Sequence, residues 1–112
     1  MRIYHNPRCS KSRQTLELIQ QAGIEPEIVL YMDNRPGKEE LRGIIAKLGI
    51  DACDLLRKSE DAYREAGLSK DSTADEAIAA MLKYPKLIER PIVIKGNKAV
   101  LGRPPENVKA LL

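Results

Sequence analysis

Nine residues near the start of the chain, HNPRCSKSR at positions 5–13, set one cysteine among a proline, three cations and two hydroxyls. A thiol attacks well only as a thiolate, and a thiolate needs positive charge or backbone N–H groups close by. If Cys9 opens a helix, the free N–H groups of the first turn and the positive end of the helix dipole both stabilise the anion. The pKa of such a cysteine falls from about 8.5 to between about 3.5 and 7.5. Arg8, Lys11 and Arg13 add positive charge, and His5 can add more as an imidazolium. Two other readings stay open. An inert buried cysteine would be in poor company here, and a metal ligand would want a second Cys or His at ligand spacing, which is absent.

Cys9, Ser10, Lys11 and Ser12 form a Cys-x-x-Ser rather than a dithiol Cys-x-x-Cys. Ser12 can hydrogen-bond a thiolate or an anion, but it cannot resolve a mixed disulfide on Cys9. The one other thiol, Cys53 in IDACDLL, reads as a structural residue on a helix face. An external thiol is therefore expected to finish any redox cycle that Cys9 begins.

Three arginines stand where they could help. Arg57 lies in LLRKSE, Arg90 precedes Pro91, and Arg103 precedes Pro104. An isolated arginine is usually solvated, whereas one held by a following proline at the end of an element is more constrained. A guanidinium fork binds a tetrahedral oxyanion bidentately. Several of them would neutralise an anion that a thiolate otherwise repels.

The elements that must position these groups follow from pattern. Residues 2–5 read as a short strand, Ser10 to about Ala22 as a helix with Leu16, Leu18, Ile19 and Ala22 inward, and EIVLY at 27–31 as a buried strand. Strand, helix and strand at this spacing make a parallel, right-handed unit. A helix with Leu41, Ile44, Ile45 and Leu48 on one face follows, then shorter helical pieces at 51–56 and 60–66. Thr73 with Glu76 forms a capping box opening a helix that faces inward with Ala74, Ala77, Ile78, Met81 and Leu82. PIVIKGNKAVL reads as a hairpin turning at Gly96-Asn97, and Pro104-Pro105-Glu106 opens a last helix with Val108, Leu111 and Leu112 inward. The order gives an α/β, thioredoxin-like fold: a mixed four-stranded sheet with an enlarged helical insertion from 38 to 84. In that fold the proline opening the third strand faces the cysteine turn, so Arg90–Pro91 is expected to be cis.

Bulk properties narrow the classes. At 112 residues the chain is expected to be a single domain spanning residues 1–112. Four tyrosines with no Phe or Trp leave no stacking platform for nucleic acid, and a net charge of +3 without a basic stripe points the same way. No apolar run is long enough to span a membrane and no signal peptide is evident, so a cytoplasmic protein is expected; a monomer is the default expectation, on which the sequence carries no signal. Two cysteines suit that reducing compartment.

The blocks IYHNPRCSKSRQTLELI, LLRKSE, ERPIVI and LGRPPE, in this order and spacing, resemble the glutaredoxin-linked bacterial arsenate reductases over essentially the whole chain. The similarity is closest to the short arsenate-reductase-like members, which lack a C-terminal extension. The resemblance implies that Cys9 attacks arsenate to form a covalent adduct, and that Arg57, Arg90 and Arg103 hold the oxyanion. His5 matches a histidine that helps lower the cysteine pKa, and Ser12 a serine close to the thiolate. It further implies no bound cofactor and no metal. Glutathione is the implied co-substrate that releases arsenite, and glutaredoxin then clears the glutathionylated cysteine. Two other functions are compatible with parts of the pattern. One is a glutathione-dependent thiol reductase with a different substrate. The other is a polymerase-binding regulator of the same fold, which uses a Cys-x-x-Cys that this chain lacks.

Overall fold

Strand β1, Arg2–Tyr4, is the hub of the sheet: it pairs parallel with β2, Glu27–Val29, and antiparallel with β3, Ile92–Lys95. In the computed structural model, which describes residues 1–112, the chain forms two compact units. The first comprises Met1–Asn34 and Arg90–Leu112, the second Arg35–Glu89. The first unit holds the whole sheet, ordered β2-β1-β3-β4 with β4 at Lys98–Leu101. This is the mixed four-stranded sheet of a thioredoxin-like fold.

The β3–β4 hairpin turns where the sequence placed it, with Lys95 opposite Lys98. Gly96 takes φ +61° and no non-glycine residue has positive φ, so the turn follows the II′ pattern, in which only the first central residue needs the left-handed region. Helix α1, Ser10–Gln21, connects β1 to β2. Its Ile19 joins Ile3, Val93, Val108 and Leu111 in one buried aliphatic cluster, with Leu16 and Leu18 partly buried beside it. Ala22, expected inward, is exposed.

Two expectations need correcting. EIVLY reads as a buried strand because it is a continuous apolar run, yet β2 is a three-residue edge strand whose Ile28 is 44% exposed. The last helix is a 3-10 helix, Pro105–Leu111, that packs on α1 through Val108 and Leu111, while Leu112 is exposed. Arg90–Pro91 is cis, as expected, and so is Arg103–Pro104.

The second unit is helical. Helix α2, Lys38–Leu48, buries Leu41 and Ile44, starts with Glu39 and Glu40 in its first turn, and ends at Gly49 in the left-handed region. After the short α3, Asp61–Glu65, helix α4, Ala74–Lys83, opens on the expected capping box. Thr73 Oγ1 accepts from the Glu76 N–H at 3.1 Å and Glu76 Oε1 accepts from the Thr73 N–H at 2.9 Å. Helix α4 buries Ala77, Ile78, Ala80 and Met81 and packs on α2, whereas Ala74 is exposed. No helix is long and apolar enough to cross a membrane.

Candidate active site

The cysteine loop runs between β1 and α1 and is stitched by its own polar groups. The Cys9 N–H donates to the Asn6 carbonyl and the Arg8 N–H to Asn6 Oδ1, both at 3.0 Å. Arg13 Nη1 donates to the Pro7 carbonyl at 2.8 Å, and the His5 N–H donates to the Val29 carbonyl at 2.9 Å, which ties the loop to the edge strand. Cys9 then takes the N-cap position of α1 in an extended conformation, with no acidic residue in the first turn. A small side chain at an N-cap faces the first-turn N–H groups, which have no partner within the helix.

Those groups set the charge of the sulfur. Partial burial pushes the Cys9 thiol up, but it is outweighed by the nearby Ser12 and Lys11 N–H groups and the Arg90 guanidinium, all of which favour the thiolate, although the sulfur makes no side-chain cap hydrogen bond. The net result is a lowered pKa. Arg90 responds in kind. Burial disfavours its cation, yet the neighbouring Tyr31 and Cys9 hold its pKa above the usual arginine value. The sulfur is half-buried, so the thiolate is both stabilised and reachable.

His5 and Ser12 form a separate buried pair. His5 Nδ1 lies 2.6 Å from Ser12 Oγ, and the Asn6 N–H donates to the same oxygen at 3.0 Å. Burial, reinforced by the nearby Arg13 charge, lowers the His5 pKa. A neutral ring with its hydrogen on Nε2 satisfies every partner, because Ser12 can then donate to Nδ1 while accepting from Asn6. The imidazolium anticipated from the sequence is therefore disfavoured, and His5 braces the loop instead of adding charge. Ser12 favours the thiolate through its backbone N–H, its hydroxyl being engaged by His5 and Asn6.

Of the three sequence-predicted arginines, Arg90 is brought to Cys9. Arg103 lies in the same unit, half-buried just after β4, in a turn pinned by Asn107 Nδ2 donating to the Leu101 and Arg103 carbonyls. Arg57 belongs to the helical unit. There the Leu56–Ile88 bridge fixes its backbone, whose N–H donates to the Leu87 carbonyl at 2.7 Å. Its Nε lies 3.1 Å from Glu89 Oε1, and Nη1 lies 3.5 Å from Glu60 Oε1 as an ion pair without hydrogen-bond geometry. Cys53, in the same unit, donates its S–H to the Ser72 carbonyl at 3.2 Å. No three His, Cys, Asp or Glu side chains gather into a metal site.

Residues 4–111 match the ArsC family. The chain belongs to that family. It is 49% identical over 110 residues to the uncharacterized protein YfgD of Escherichia coli K12, covering 96% of this chain and 92% of that one. An arsenate reductase of Neisseria meningitidis is 44% identical over 114 residues, covering 100% of this chain and 97% of the relative. Among solved structures, the arsenate reductase from Vibrio cholerae superposes with a TM-score of 0.95 at 43% identity, over 99% of this chain and 96% of that one.

In this ArsC-family chain, two residues of the site carry no mark in the sequence pattern. Asn6 has the pattern of a strand end, yet its side chain and carbonyl organise the loop. Tyr31, the last residue of the EIVLY run, follows the edge strand; it is 1% exposed and interacts electrostatically with both Arg90 and Cys9. No local signal marks it, because reading 27–31 as a buried strand already accounts for a buried Tyr31.

Proposed function

We propose that this chain is an oxidoreductase that reduces arsenate to arsenite through a covalent Cys9–arsenate adduct, with glutathione and glutaredoxin as reductants. The reading is supported above all by the lowered pKa of Cys9 at the start of α1, with the Arg90 guanidinium against its sulfur. A thiolate and an oxyanion repel each other, and a guanidinium fork beside the sulfur is the group that lets them meet. Family membership and relatives named arsenate reductase supply the substrate class.

The chemistry balances with few parts. The Cys9 thiolate forms an S–As bond and one arsenate oxygen leaves as water. The glutathione thiol then attacks the Cys9 sulfur; an S–S bond forms, the S–As bond breaks, and its electron pair reduces As(V) to As(III), released as arsenite. Glutaredoxin removes the glutathionyl group from Cys9 by thiol–disulfide exchange and regenerates the thiol. Within this scheme Ser12 and Lys11 offer backbone N–H groups to the thiolate, and His5 holds the loop. Arg90, Arg57 and Arg103 bind the oxyanion, the last two on the strength of the family's sequence blocks. The protein works as a cytoplasmic monomer and needs no bound metal or cofactor.

Arsenite formation with glutathione and glutaredoxin present, compared between wild type and Cys9→Ser, tests the proposal. Wild type should produce arsenite and Cys9→Ser none. Deglutathionylation of a model disulfide without arsenite production would replace it by the glutathione-dependent thiol reductase reading.

A further inference from the structure

The Tyr31 hydroxyl is a buried polar group without a partner. The residue is 1% exposed, and its hydroxyl makes no hydrogen bond within the protein. The Arg90 guanidinium and the Asn6 side chain lie against it closely enough to interact electrostatically, but neither donates or accepts with hydrogen-bond geometry. The same phenol senses the charge on Cys9 and strengthens the cation on Arg90. A buried hydroxyl with no partner costs stability, and a phenylalanine would fill the same volume without that cost. The hydroxyl therefore wants a partner that the protein itself does not supply, beside the reactive sulfur and its guanidinium.

We propose that Tyr31 is a further substrate-binding residue, its phenolic O–H donating a hydrogen bond to an oxygen of the tetrahedral anion held at Cys9 and Arg90. This rests on the oxyanion reading of the site and adds to it a neutral donor. The chemistry suits the position. Arg90 contributes charge and a planar fork, whereas a phenol contributes a single directed proton that also survives transfer of charge to the adduct. Burial keeps that proton in place by raising the phenol's pKa, against the opposing pull of Arg90, so the group is a donor throughout the neutral range. A second guanidinium at this point would only strengthen electrostatic attraction. A neutral donor instead selects anions that present an oxygen at the right distance, and so bears on specificity.

The test reads anion binding directly, as protection of Cys9 from a neutral alkylating agent by arsenate. It is made in a Cys53→Ser background so that Cys9 is the reporting thiol. Tyr31→Phe should raise the arsenate concentration giving half-protection roughly ten- to a hundredfold, the range for a hydrogen bond to a charged group. Alkylation without arsenate should stay within about twofold of the parent, because backbone N–H groups and Arg90 activate the thiolate. The melting temperature should equal or exceed the parent's, as expected when an unpartnered buried hydroxyl is removed. Equal protection in both proteins overturns the proposal, as does a slower alkylation of the Phe variant with unchanged protection, which would place Tyr31 on the thiolate. If arsenate protects neither protein, the oxyanion reading itself fails and Tyr31 with it. Tyr31→Met, of similar volume and without the hydroxyl, takes the place of the Phe variant if that does not fold.

Discussion

Arg90 helps to set the charge of Cys9, and that dependence can be measured. Removing the guanidinium leaves burial, which raises the thiol, opposed only by the first-turn N–H groups. Arg90→Ala should therefore move the midpoint of Cys9 alkylation against pH to higher pH, and Arg90→Lys should move it less, because charge returns without the fork. An unchanged midpoint in Arg90→Ala would mean that the helix start alone activates the sulfur. The linked stability has a definite sign. With the folded thiol lowered, the unfolded chain binds the extra proton, so Cys9 contributes stability above the free-thiol pKa that is lost as pH falls through the folded value. His5 acts in the same direction lower on the scale. Its folded pKa lies below 6.5, so between that lowered value and 6.5 the unfolded chain binds more protons and stability rises with pH. Denaturant midpoints measured across that window should climb more steeply for wild type than for His5→Gln, whatever the absolute cost of losing the Ser12 contact. Parallel slopes would show that the buried ring does not titrate there.

At the scale of elements, α1 and the Arg90–Pro91 corner that leads into β3 are registered by a contact that tolerates no side chain. A Cβ on Gly102 would stand 2.5 Å from Thr15 Oγ1, 2.7 Å from Pro91 Cγ and 2.9 Å from Thr15 Cγ2. The Gly102 N–H meanwhile donates to the Pro91 carbonyl at 2.9 Å, and Thr15 Oγ1 donates to the Lys11 carbonyl at 2.8 Å. Gly102→Ala must then push α1 or the Arg90–Pro91 corner aside, at a cost of about 1–3 kcal/mol. Cys9 alkylation should slow with it, and adding Thr15→Ala should recover part of both losses, a non-additivity that would be absent if Gly102 were merely flexible. Nothing in the sequence announced this contact, because it joins residues far apart in the chain. What the sequence did show was local. The Thr73–Glu76 capping box, the Gly96-Asn97 turn and Cys9 at the mouth of a helix each depend on neighbours within a few positions. The exposed β2 was misread because Glu27–Val29 has strand composition, and composition does not say whether a second strand covers its far side. The place of Tyr31 in the site is hidden for the same reason, since the charges it senses, Arg90 and Cys9, come from other segments.

For the molecule as a whole, thiol count decides how a catalytic cycle can close. The chain has two cysteines, Cys9 in the sheet-bearing unit and Cys53 in the helical unit, where its S–H is engaged by the Ser72 carbonyl. A Cys-x-x-Cys enzyme resolves its own intermediate, whereas Cys-x-x-Ser leaves the second step to a thiol from outside. Given arsenate and glutathione but no glutaredoxin, turnover should stall after the first cycle. Intact-mass measurement should then find one glutathionyl group per chain, and peptide mapping should place it on Cys9. Cys53→Ser should stall in the same state and, with glutaredoxin restored, keep most of the wild-type rate, since a structural thiol exchanged for a hydroxyl loses only a weak donor. A Cys9–Cys53 disulfide in the stalled wild type, or sustained turnover without glutaredoxin, would instead make Cys53 the resolving thiol and the helical unit a participant in the chemistry.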